Sequence, residues 1–200
     1  METQILLSLC IGVGLSAACG LRIFVPFLVM NFAARGGHLT LATEYQWLSS
    51  DIALIAFSTA AILEISAYYV PWLDNLLDSI MTPAAVAAGS ILTASQLTEL
   101  SPFLQWSLAI IAGGGTAGVV QSGTVLVRGT STAGTAGAAN FIVSTSELMG
   151  STSLAVLAML LPIVVVILIG IVCFYIVKIA NQRFLKRLTH RPGETAFARN

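Results

Sequence analysis

The stretch Leu154 to Val177, LAVLAMLLPIVVVILIGIVCFYIV, decides the class of this protein. It carries no charged residue and is longer than the roughly 20 apolar residues an α-helix needs to cross a bilayer. Pro162 lacks the N–H that would reach the Ala158 carbonyl, so a kink is expected within it. The rest of the chain has the same character. Of 200 residues, 56% are hydrophobic and only 9% charged, and the mean hydropathy is +0.90. Soluble domains carry about 25% charged residues. That deficit excludes a soluble enzyme and a disordered tail, and nucleic-acid binding would need a basic stripe.

The zero net charge divides into unlike parts. Residues 1–177 hold Arg22, Arg35 and Arg128 against eight acids (Glu2, Glu44, Asp51, Glu64, Asp74, Asp78, Glu99, Glu147), a net −5. Residues 178–200 hold Lys178, Arg183, Lys186, Arg187, Arg191 and Arg199 against Glu194, a net +5. Basic residues directly after an apolar span predict a cytoplasmic C-terminus. They also suit contact with anionic lipid headgroups. The chain therefore divides into a membrane domain, 1–182, and a basic cytoplasmic tail, 183–200.

Further spans are read upstream. Ile52 to Val70 contains Glu64 and ends at Tyr68, Tyr69, Pro71 and Trp72, aromatic residues suited to the headgroup level. Phe103 to Val127 contains Gly113-Gly114-Gly115 and Gln121. Ile5 to Ala34 is too long for an upright crossing and carries Arg22, with Pro26 four residues later freeing the Arg22 carbonyl. Gly36-Gly37 ends it. Ile80 to Leu97 is alanine-rich and either crosses or re-enters. Gly129 to Ser153, dense in Gly, Ala, Ser and Thr, reads as a short helix or loop packed among the spans. The expectation is an all-α polytopic bundle of about five hydrophobic segments, one or two of them re-entrant or broken. The first segment lacks the basic start of a secretory signal, and Leu15-Ser16-Ala17-Ala18-Cys19 is misphased for a lipoprotein site, so it is expected to remain as a span.

Small residues recur four apart in two rows, Gly12, Ser16 and Gly20, then Gly114, Gly118 and Ser122. Such rows let helix backbones approach closely. Each row is followed by an arginine (Arg22, Arg128) and then a glutamate (Glu64, Glu147), which points to an internal two-fold pseudo-repeat of the kind found in secondary transporters. A charge at the bilayer centre costs at least ~2.5–3.5 kcal/mol, so it turns inward to a partner. Glu64 lies about 9 Å inside the Val70 end of its span. Arg22 and Glu64 are accordingly expected to pair or to line a polar cavity, to which Arg128, Glu147 and Asn140 are candidate contributors. Asp74 and Asp78, one helical turn apart after Pro71, form an acidic cluster that either extends a cation path or complements a helix dipole.

Catalytic signatures fail one by one. Gly12-Val13-Gly14 lacks a strand and an acidic ribose partner, and Gly113 to Gly118 lacks a Gly-Lys-Ser/Thr sequel. Cys10, Cys19 and Cys173 lie in apolar runs without ligand spacing, and His38 and His190 stand apart. No catalytic residue, metal or cofactor is expected. An intramembrane enzyme would need a lipid or quinone bound beside Glu64.

The pattern Gly14-Leu15-Ser16-Ala17, Gly20-Leu21-Arg22 through Pro26, Glu64 with Pro71, Asp74 and Asp78, and Arg128 with Ser131-Thr132, Gly137, Asn140, Ser144 and Glu147 resembles the bacterial membrane family called domain of unknown function 4126. Leu148 departs from the acidic residue that often follows the second glutamate there. The resemblance implies a multi-pass helical protein of the inner membrane and brings no substrate or catalytic residue. The residues themselves favour a small transporter or channel for an ion or small solute. A scaffold or assembly protein whose glycine faces bind partner helices, or further copies of the chain, is the other reading.

Overall fold

The computed structural model describes residues 2–67, 71–135 and 140–189, with side chains at all of these except 71–78, 173, 176–177 and 179–189. Among the described residues the chain is helical without strands. The α-helices are α1 (Glu2–Cys19), α2 (Phe24–Arg35), α3 (Asp51–Ala67), α4 (Pro71–Gln96), α5 (Pro102–Leu108), α6 (Gly115–Thr135), α7 (Asn140–Leu160) and α8 (Pro162–Thr189). A 3-10 helix, Thr43–Ser49, precedes α3, and a π-helical segment, Ala109–Gly114, joins α5 to α6. Three helical stretches are long and apolar enough to cross a membrane: Glu2–Cys19, Pro102–Thr135 and Asn140–Leu160. The 3-10 helix and α3, bent by 62° between them, pass the same test of length and apolarity together, as a broken span or a re-entrant loop. This is a multi-pass helical membrane protein.

Burial runs opposite to that of a soluble bundle. Ile52, Ile111, Phe141, Ile142, Met149 and Leu160 face outward, while Arg22, Gln121, Arg128, Ser144 and Glu147 are buried. Lipid is as apolar as leucine, so outward apolar side chains cost nothing, and polar groups must find partners inside. The central helix is α1, packed against α4, α6, α7 and α8. Its residues from Gly14 to Cys19 are all buried.

Two sequence expectations need revision. The decisive apolar stretch is two helices, not one kinked span: α7 ends at Leu160 and α8 begins at Pro162. Proline suits the first turn of a new helix, where its missing N–H is no loss. The crossing that precedes the break starts at Asn140, so most of the stretch read as loop or short helix, 129–153, is the end of α6 and the body of α7. Its serines and threonines lowered the apparent apolarity, yet Ser146, Thr145 and Thr152 donate to carbonyls in their own helix. Hydroxyls satisfied in that way need no water. The first apolar stretch, too long for one crossing, is broken between Cys19 and Phe24, at the Arg22 position that the sequence singled out.

Close packing explains the small-residue rows. Gly12 abuts the Thr93 backbone of α4, and Ser16 donates to the Gly89 carbonyl at 2.6 Å and shares a 2.8 Å hydrogen bond with Thr93. Gly20 lies against Ala117 and Val120 of α6. In the second row Gly114 and Gly118 pack on Val86 and Ser90 of α4, but Ser122 is exposed and bonds back to the Gly118 carbonyl. A row spaced by four drifts about 40° per step around a helix, so its third member leaves the interface or meets another neighbour. Gly89 and Gly113 also approach closely. A Cβ on Gly113 would lie 2.7 Å from the Gly89 carbonyl oxygen and would collide with the Thr93 hydroxyl.

Candidate functional site

The site begins at the break between α1 and α2. Leu21 and Arg22 still donate to the Ala18 carbonyl, each at 3.1 Å, but the helix does not continue. Pro26 provides no N–H, and the start of α2 has no cap from its own N-cap residue, Ile23. The cap comes from another helix. Glu64 of α3 accepts the Ile23 N–H at Oε1 (2.9 Å) and the Phe24 N–H at Oε2 (3.2 Å). A carboxylate there satisfies two orphan donors and complements the positive end of the α2 dipole.

Arg22 points from the same break in another direction. Its side chain is 1% exposed. Nη2 donates to the Ser144 carbonyl of α7 at 3.0 Å and to the Ser144 hydroxyl, and lies 3.5 Å from Glu147 Oε2. Arg128 of α6 grips the same carboxylate with two bonds, Nε to Oε1 at 3.0 Å and Nη2 to Oε2. Glu147, 5% exposed, is thus shared by two guanidiniums. Fork-on-carboxylate geometry gives the strongest charge-assisted hydrogen bonds. Glu64 binds the N–H of the residue that follows Arg22, so the four ionisable groups lie around one helix break.

The expected contact between Arg22 and Glu64 is therefore replaced. Arg22 ion-pairs with Glu147, and Glu64 binds backbone N–H groups. The unlike roles of the two glutamates also depart from a strict pseudo-repeat. The reason is directional: the break sends the first N–H groups of α2 toward α3 and the Arg22 side chain toward α7. Asn140 adds to the cluster's rim by donating to Thr132 Oγ1 at 2.9 Å, which links the ends of α6 and α7. Asp74 and Asp78 are on α4 with side chains outside the described residues.

Further polar residues line the same interior. On α7, Asn140, Ser144, Glu147 and Ser151 are buried, spaced four, three and four apart on one face. Ser151 donates to the Ala18 carbonyl at 2.9 Å, beside the break. On α6, Gln121, Thr124 and Arg128 form the matching buried face. Those rows are legible in the sequence as polar residues at helical spacing between apolar ones, a pattern that, in a membrane, marks the inward side.

No curated protein and no solved structure matches the chain. Over residues 9–182 the sequence matches the family described as domain of unknown function DUF4126. That match runs from within α1 to within α8 and includes every residue of the charge cluster, and the chain belongs to this family.

Proposed function

We propose that this protein is a small transporter or channel for an ion or small solute in the cell inner membrane, with its C-terminus in the cytoplasm. One observation carries the proposal: Arg22, Glu64, Arg128 and Glu147 gather in the bundle interior at the break of a membrane helix. Burying ionisable groups at depth costs several kcal/mol, and half-helix ends with exposed backbone groups are the usual elements of transporter binding sites. Ionisable residues within membrane segments mark functional sites by default. The scaffold reading loses its proposed surface, because Gly12, Gly20, Gly114 and Gly118 are already in contact inside the bundle. The basic tail, whose residues 183–189 are the end of α8, supports the orientation and a contact with anionic headgroups. No catalytic role belongs to this proposal.

The test is flux into vesicles reconstituted with the purified protein, screened across inorganic ions and small polar solutes. A flux that the Glu147→Gln variant abolishes, at temperatures where that variant remains folded, is the expected result. Folded protein that moves none of a broad panel refutes the proposal. Reporter fusions at the C-terminus, active only in the cytoplasm, check the orientation.

A further inference from the structure

A groove of about 310 Å³ opens at the far end of α1 from the charge cluster. The cluster begins just past Cys19, and Gln4 in the groove lies roughly 22 Å away along the helix from that residue. Three parts of the chain make the walls: the α1 face bearing Gln4, Leu7 and Ile11, the loop after α2 at His38, and the end of α4 at Gln96 and Glu99. Such a volume falls at the lower end of those of small-ligand pockets.

The loop is built to hold its position. Gly37 takes φ +72°, and the Gly37 and His38 N–H groups bond back to Ala34 and Ala33 at 3.1 and 2.9 Å. That arrangement is a Schellman-type helix end, and it sets the His38 ring beside Gly36. On the other wall, Ala42 donates to the Ser95 carbonyl at 2.8 Å, and Gln105 Nε2 donates to the Ala94 and Leu97 carbonyls. Gln96 is 2% exposed, so its amide is fixed at the floor.

Depth in the membrane follows from the neighbouring aromatics. Trp47, Phe103 and Trp106 are exposed at this end, and Trp106 packs on Tyr45 with ring centroids 6.5 Å apart. Tryptophan and tyrosine gather at the membrane–water interface. The groove therefore opens at headgroup level.

Its chemistry is one-sided. Glu99 contributes a carboxylate, and the Gln4 and Gln96 amides each bring an acceptor oxygen beside donor N–H groups. Neither lysine nor arginine lines it. Among the described lining residues, an anion would meet the Glu99 carboxylate with the His38 imidazole as its one basic neighbour. Leu7 and Ile11 give one wall an aliphatic surface. His38 and Glu99 are too few for a metal centre, and no group of three His, Cys, Asp or Glu forms among the described residues.

We propose that this groove binds a primary ammonium group on a short aliphatic stem. The ammonium sits against Glu99 and the glutamine carbonyls, and the stem lies on Leu7 and Ile11. The ammonium comes either from an amine-bearing lipid headgroup or from a free amine, and two assays distinguish the sources. In the first, the full chain in amine-free detergent is titrated calorimetrically with n-butylamine and with n-butyrate, its anionic counterpart of similar shape. In the second, protein in nanodiscs of mixed phosphatidylethanolamine and phosphatidylcholine is examined for retained lipid by native mass spectrometry. Glu99 is exposed, so Glu99→Gln leaves the fold intact, which its thermal unfolding verifies. Saturable n-butylamine binding, weakened roughly tenfold or more by Glu99→Gln, supports the site. Retention of phosphatidylethanolamine that depends on Glu99 also supports it, with lipid as the source. Equal binding of amine and butyrate, or Glu99→Gln without effect in both assays, overturns it.

Discussion

Replacing Glu147 by glutamine removes the one carboxylate on which Arg22 and Arg128 converge, while keeping its shape and one hydrogen-bond acceptor. Arg128 is 3% exposed and Arg22 1%, so neither guanidinium can recover its solvation from bulk water without the bundle opening. Breaking a buried ion pair by neutralising one partner costs about 3–5 kcal/mol. Here two arginines lose the same counter-charge, and the mutual repulsion of their guanidiniums is no longer offset. The Ser144 carbonyl and hydroxyl continue to hold Arg22, which keeps the estimate within that range rather than above it. The expected loss is therefore about 3–5 kcal/mol, a fall of at least roughly a hundredfold in the ratio of folded to unfolded protein. Reversible unfolding in mixed micelles, followed by tryptophan fluorescence, measures it. A double variant, Arg128→Leu with Glu147→Leu, provides the control. Removing both partners should cost less than the sum of the two single leucine variants by about 0.5–3 kcal/mol, the coupling expected of groups in direct contact. A Glu147→Gln variant within 0.5 kcal/mol of the parent, or strict additivity in the cycle, refutes the reasoning.

Other outcomes follow from the same geometry. Glu64→Gln leaves one carbonyl oxygen for two N–H groups, so it should cost about 1–2 kcal/mol, and hydrogen exchange should speed up first at the Ile23 and Phe24 amides; unchanged exchange there contradicts the cross-helix cap. Gly113→Ala forces its methyl into Thr93 and the Gly89 carbonyl and should lose about 1–3 kcal/mol. Gly129→Ala meets open space and should be neutral or gain up to about 1 kcal/mol from helix propensity, so similar melting shifts for the two variants contradict the close approach of α4 to the π-helical segment. Ser151→Ala removes the donor to the Ala18 carbonyl beside the break. A destabilisation of about 1 kcal/mol in the same unfolding assay is expected, and no change indicates that water takes its place.

Some of the candidate site was readable from local sequence. Arg22 followed by Pro26 marks a helix break carrying a charge, because one residue cannot be left in lipid and the other cannot donate. Gly12, Ser16 and Gly20 mark a face for close packing because only small side chains admit a neighbouring backbone. Both inferences need nothing beyond the neighbours in the chain. The span boundaries were less legible from residue 129 onward. Hydropathy counts serine and threonine as polar, whereas in a helix their hydroxyls bond to their own backbone, so α7 crosses despite its composition. At Pro162 the sequence pointed to a kink, whereas a new helix starts there, and α8 packs against α1 through Val165 and Gly14.

The sequence by itself determined a helical membrane protein with few charges, a break after α1 and small-residue faces, since those properties follow from transfer energies and backbone sterics acting within a few turns. Only the tertiary structure decided which acid serves which base. Ser144 and Glu147 lie more than a hundred residues beyond Arg22, and Glu64 some forty beyond Ile23, so their meeting depends on how α3, α6 and α7 are arranged around α1. Two glutamates of identical chemistry thereby receive different partners, one a helix end and the other a pair of guanidiniums. That difference arises because electrostatic pairing is chosen by direction and distance in space, which residue types and their spacing do not encode.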